Sequence, residues 1–184
     1  PFGVEGREVA SRAMASVHDI SNKYVSDYVA LDPIAATNLG FTGSDDQLTD
    51  FSPEGHAARD ELAARALADI AAATPADASE EAARAVFLER TGLEHELYEA
   101  GQTESSLNVI ASPIQSVRDI FDQMPTETPD DWATIGRRLS AVPAALDGLR
   151  ASLSHAASRG HVSAVRQVTK VAEQCDVWAS TFFT

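Results

Sequence analysis

The sequence predicts an all-α chain of about seven helices arranged in antiparallel hairpins. Apolar residues recur every three or four positions through most of its length, and helix start and stop residues frame those stretches. No strand-like alternation of useful length and no short-period repeat interrupts them.

The first apolar stripe is Val9, Ala13, Val17, Ile20, Tyr24 and Tyr28, which predicts a long helix over about 7–30. Asp32 then caps a short helix with Pro33 in its first turn, and Gly40 closes it. Residues 41–51, rich in Gly, Ser, Thr and Asp, read as a loop. Ser52-Pro53-Glu54 supplies a cap, a first-turn proline and a carboxylate at the positive helix end, so a second long helix runs to about Ala73, with Pro75 as its stop. Ser79, Glu80 and Glu81 open the next helix, which is expected to turn Val86, Leu93 and Leu97 inward before Gly101 ends it.

After a polar connection from Gln102 to Asn108, Ser112-Pro113-Ile114-Gln115 fits a capping box, with Ile114, Val117, Phe121 and Met124 as the buried stripe. Thr128-Pro129-Asp130-Asp131 repeats that grammar, followed at core spacing by Trp132, Ile135, Leu139 and Val142. Pro143 is expected to kink or break this helix. Leu146, Leu149 and Leu153 carry the pattern to Gly160. The last segment places Val165, Val168, Ala172 and Cys175 on one face and runs through Trp178 to Phe182-Phe183-Thr184 without a stop signal.

Composition narrows the partners. The formal charge is −14, from 28 acidic against 14 basic residues, a surface that suits neither nucleic acid nor anionic membranes. The hydrophobic share is 44%, but much of it is alanine, which buries little area per residue. A single cysteine, Cys175, excludes an internal disulfide and points to a cytoplasmic setting; its helical core position reads as an inert buried thiol. No apolar run reaches the roughly 20 residues of a membrane span.

No complete catalytic site is readable. His95-Glu96-Leu97-Tyr98-Glu99 has the outline of a zinc-peptidase helix, but a glutamate stands where the second histidine belongs, so it reads as a solvated helix face. His18, His56, His155 and His161 read as caps, surface groups or packing residues. There is no Gly-x-Ser-x-Gly elbow or Gly-rich phosphate loop. Asp45-Asp46 and Asp130-Asp131 read as turn and cap chemistry. Ser105, Ser106 and Asn108, in the polar stretch between two helices, are the candidate functional-loop residues, although a plain connector is the preferred reading of that stretch. Trp178, Phe182 and Phe183 are the interface candidates, because three rings near a chain end expose on the order of several hundred Å² of apolar surface.

Tyr28 to Gly40, Leu48 to Gly55 with its Asp50-Phe51-Ser52-Pro53-Glu54-Gly55, and Asp130 through Leu139 to Leu153 together resemble the opening part of the bacterial family called domain of unknown function 885. Gly160 to Gln174 is similar to that family's next helix. The resemblance implies a much longer helical protein related to zinc metallopeptidases, with a deep channel between helical halves. It also implies that the zinc-binding His-Glu motif lies beyond the matched region, so no ligand and no cofactor is assigned to this chain. On that reading, residues 1–184 form one helical unit that continues past Thr184. The unit is a channel wall or lid whose partner is the remaining C-terminal part, with peptide as substrate. The other reading is a freestanding helical interaction module that binds a partner helix, or itself, through the C-terminal aromatics.

Overall fold

In the structure, a computed structural model, residues 15–182 are described. They form seven α-helices and no strand: α1 Val17–Leu31, α2 Pro33–Asn38, α3 Pro53–Ala72, α4 Ala78–Glu99, α5 Pro113–Asp119, α6 Pro129–Ser158 and α7 Val165–Thr181. A 3-10 turn, Ile120–Gln123, extends α5. Among the described residues, no helix is long and apolar enough to cross a membrane.

The expected helix start near Arg7 lies outside the described residues; among those described, α1 begins at Val17. Ser16 caps α1 in a reciprocal box: its hydroxyl accepts from the Asp19 backbone N–H at 3.1 Å, and the Asp19 carboxylate accepts from the Ser16 N–H at 3.3 Å. Val9 and Ala13 lie outside the described residues. The cap of α4 is Asp77, two residues before the expected Ser79, since its carboxylate accepts from the Glu80 N–H.

Helices α1, α3 and α4 pack as one bundle. Arg84 donates to the carbonyls of Ile70 and Ala71 near the end of α3, while His95, further along α4, reaches Asp60 near its start, so α3 and α4 run antiparallel. Val17 packs with Ile70 and Ala73, whereas Leu31 at the other end of α1 lies by Arg59, so α1 is also antiparallel to α3. The core of this bundle is Val17, Ile70 and Ala73, with Ile20, Ala83, Phe87 and Leu88 against it. The expected inward face of α4 is thereby overturned. Val86 is 61% exposed and Leu93 and Leu97 are exposed too, because α1 and α3 cover only the side that carries Ala83, Phe87 and Thr91.

The second core joins α2, the following loop, α5 and α6 through Ile34, Phe51, Val117, Ile120, Ala145 and Leu149. Along α6 the buried positions are Ile135, Arg138, Ala145, Leu149, Ser152 and Ala156. Trp132 and Leu139 are exposed instead of buried; the Trp132 indole donates to the Thr126 carbonyl at 3.0 Å across the preceding turn. Pro143 lies inside α6 without ending it. Both Pro143 and Leu139 face solvent, so the carbonyl that the proline leaves without its N–H partner can turn to water.

Helix α7 is held chiefly through Val171, which is buried, and through Gln174, which donates to the Val109 carbonyl and accepts from Gln115 of α5. Its expected core face is corrected as well. Val165, Val168 and Ala172 are exposed and Cys175 is half-buried, because α7 turns the neighbouring Val171, Gln174 and Trp178 side toward α5 and α6.

Candidate functional site

The largest gathering of chemically capable side chains lies in a groove along the α1–α3–α4 bundle, opening toward the connection after α4. Helical spacing assembles it. Tyr24 and Tyr28 are one turn apart on α1; His56, Arg59 and Asp60 share a face of α3; Glu94, His95 and Tyr98 do so on α4. Together with Thr103 they line a cavity of about 380 Å³. A second cavity of about 550 Å³ adjoins it, shares His56, Glu94 and Thr103, and is lined also by Ser105, Ser106 and Asn108. The candidate loop residues and the histidine of α3 thus meet at one groove.

His56 is buried, and its Nδ1 lies 3.1 Å from the Arg59 guanidinium. Arginine only donates, so Nδ1 accepts and the ring proton rests on Nε2. Burial, reinforced by the Arg59 charge and opposed by Glu104, Asp50 and Asp32, pushes this imidazole down to about 4. Arg59 is anchored on its other side by the carbonyls of Asp50 at 2.8 Å and Leu31 at 3.5 Å. Burial opposes ionisation of Asp50. The Ser52 backbone N–H and hydroxyl, with Arg59 and His56, outweigh it and hold this carboxyl below its ordinary range.

His95 has the opposite setting. Its Nδ1 is 2.7 Å from the Asp60 carboxylate and its Nε2 is 3.7 Å from Glu99, and the hydrogen bond to Asp60 raises its pKa above the usual imidazole value. The Tyr28 hydroxyl donates to Asp32 at 3.1 Å, and Asp32 also accepts from Thr49 at 2.5 Å and from the Ala35 N–H at 2.9 Å. Burial and the Asp32 charge drive the Tyr28 phenol well above its ordinary range. Tyr24 and Tyr98 are raised too, first by burial, then by Glu94 and Glu104 respectively.

The loop residues are partly committed to local structure. The Ser105 hydroxyl donates to the Gly101 carbonyl, and the Asn108 carboxamide oxygen accepts from the N–H groups of Ile110 and Ala111 while its nitrogen donates to the Ala111 carbonyl. Glu104, 3% exposed, accepts from His155 of α6 at 2.8 Å and stands 3.8 Å from Arg159. Gly101, at φ +72°, lets the chain turn against the His161 ring, which a Cβ would meet at 2.7 Å. The neighbourhoods of Glu104 and His56 carried no local motif; only the in-phase spacing of polar residues on α3 and α4 hinted at them.

Of the interface candidates, Trp178 is half-buried beside an apolar cleft with Ile114, Val142, Leu146 and Cys175. Phe182 packs on Phe121 at a ring separation of 6.4 Å and lies under the Arg118 guanidinium at 4.3 Å. Phe183 lies outside the described residues. Burial and the adjacent Asp176 raise the Cys175 thiol above its ordinary pKa, which disfavours the thiolate.

Asp45 accepts from the Gly43 N–H, and Asp131 closes the Thr128 capping box, as turn and cap chemistry requires. Among the described residues, no group of three or more His, Cys, Asp or Glu is placed to hold a metal ion. His95 stands there between the carboxylates of Asp60, which hydrogen-bonds the imidazole, and Glu99.

Fold and groove together define an all-helical chain that presents a polar, tyrosine-lined groove. The family model described as a bacterial protein of unknown function, DUF885, matches residues 33–183, and the chain belongs to that family. No curated protein matches it.

Proposed function

We propose that this chain forms a substrate-facing wall of a zinc-peptidase-like protein and contributes binding groups rather than reacting ones. The observation that supports this is the junction of the two cavities at His56, Glu94 and Thr103, which makes one groove from the tyrosine cluster to Ser105, Ser106 and Asn108. Such a groove suits an extended peptide, and its histidines and arginine are held by partners that fix their orientation. Zinc, in this reading, belongs to a longer protein and is bound by residues outside this chain, where it would polarise a peptide carbonyl.

The test compares the chain with a longer family protein that contains it. The chain alone is expected to bind no stoichiometric zinc and to hydrolyse no peptide. In the longer protein, Thr103→Val and Ser106→Ala are expected to raise KM several-fold with kcat held, the signature of lost uniform binding. Hydrolysis by the chain alone, or an unchanged KM in both variants, overturns the proposal.

A second reading, an interaction module, draws on α7. Val165, Val168 and Val177 are exposed along it, with Trp178 and Phe182 at its end. Light scattering separates the two: a stable dimer disrupted by Val168→Glu supports the module.

A further inference from the structure

Among the described residues, the groove sets one carboxylate without a cationic partner, Glu94, beside a set of aromatic rings. Tyr24 and Tyr28 stand with ring centroids 5.9 Å apart on α1, and Tyr98 joins them from α4 around the cavity of about 380 Å³. That volume accommodates a single side chain or a short peptide end. Glu94 lies in the wall of both cavities, acts electrostatically on Tyr24, and has no cationic partner among the described residues. Around Tyr98 the charges of Glu104, Asp60 and Glu61 act against Arg159, with Glu104 also held by His155 and Asp60 by His95.

The two positive groups that line the cavity already hold acceptors. The Arg59 guanidinium is drawn to the carbonyls of Asp50 and Leu31 and to His56 Nδ1, and His95 sits between Asp60 and Glu99. An anion entering the groove would meet the Glu94 and Asp60 carboxylates beside a guanidinium whose Nη1 already holds two carbonyls and whose Nη2 holds His56. A neutral apolar group would strip water from Glu94 without compensation, which is costly. A cation meets both needs at once: a carboxylate to pair with and ring faces that attract positive charge.

We propose that the groove seats an organic cation, the ammonium or guanidinium group of a peptide, among Tyr24, Tyr28 and Tyr98 with its charge toward Glu94. This rests on the groove being the substrate-facing wall argued above, and it names the substrate class: peptides that present a positive group there.

The experiment is calorimetric titration of the 184-residue chain with four probes. These are N-acetyl-lysine amide, N-acetyl-arginine amide, alanyl-alanine amide with its free amino terminus, and neutral N-acetyl-norleucine amide. At least one cationic probe is expected to bind about tenfold more tightly than the norleucine probe and to weaken as salt rises. Which one wins tells a side-chain cation from a peptide amino terminus. Glu94→Gln is expected to remove most of that preference with the helical circular dichroism unchanged, and the salt series supplies the same reading if that variant does not fold.

Equal affinity for the norleucine probe, no saturable binding of any cationic probe, or a folded Glu94→Gln chain that keeps the preference overturns the inference. Cation preference together with an unchanged KM for the Thr103 and Ser106 variants in the longer protein would sink the wall reading alone. A raised KM with no cation preference would sink this inference alone.

Discussion

The two halves of the molecule treat their polar side chains in opposite ways. Around α6 the enclosed Arg138 and Ser152 are spent mostly on backbone, with Arg138 Nη1 left without a partner among the described residues. Arg138, 0% exposed, donates to the carbonyls of Gln47, Pro33 and Ser44 and to the Thr37 hydroxyl, and Ser152 donates to the Phe51 carbonyl at 2.6 Å. In the α1–α3–α4 bundle the core is small, and tyrosines, histidines and carboxylates border open space instead. The contrast is one of setting: Arg138 and Ser152 are fully enclosed and bond main-chain carbonyls between elements, whereas the groove residues, Arg59 with its two carbonyls included, stand at a cavity edge where a ligand can reach them.

The sharpest break of that contrast is Arg138→Ala. It removes the Arg138 donor from the Gln47, Pro33 and Ser44 carbonyls, of which Pro33 keeps the Thr37 hydroxyl and Ser44 the Gln47 N–H, and it opens a cavity where α2, its loop and α6 meet, so a loss of about 3–5 kcal/mol is expected from urea unfolding, by far the largest single effect. Asp45 and Asp46 lie close enough to favour the charged guanidinium, while burial lowers its pKa. A loss below about 1 kcal/mol would mean that α2 and its loop are not held through this side chain.

Arg138 also shows where one-dimensional reading stopped. It falls in phase with Ile135, Val142, Ala145 and Leu149, but a search for large apolar residues passes over a charged one and assigns the stripe to Trp132 and Leu139 instead. The same bias chose Val86, Leu93 and Leu97 over the Ala83, Phe87 and Thr91 side of α4. Caps fared better, because Asp32, Ser52 and Thr128 act within three residues and need no tertiary context. The groove was readable only in part. Ser105, Ser106 and Asn108 stood out by composition, but their meeting with His56 and Glu94 depends on packing across three helices, which spacing along the chain does not encode.

The second test concerns His56. Its pKa is pushed down to about 4 from 6.5, so the folded state refuses a proton that the unfolded chain accepts. The stability this leaves intact above about pH 6.5 is lost as pH falls toward 4, and at full titration the loss is on the order of 3 kcal/mol. His56→Gln, which keeps an acceptor for Arg59, is expected to flatten that acid limb in urea titrations at a series of pH values. An unchanged limb would place the burden on other groups and remove the argument for a neutral imidazole at the groove junction.

His95 supplies the smallest effect and the opposite sign. Asp60 on α3 and Glu99 and Glu96 on α4 all favour its charged form, so the stabilisation is fully present below the unfolded imidazole value and fades as pH rises through the higher folded one. The pair is near the surface, with the His95 side chain 28% exposed, and an ion pair of that kind contributes about 0.5 kcal/mol. Asp60→Asn is therefore expected to lower the His95 midpoint in proton NMR titration while barely moving the unfolding midpoint at pH 8. If the midpoint of His95 stays where it was, the α3–α4 contact does not set its charge. Glu99 and Glu96 on α4 would then be left as the groups that favour its charged form.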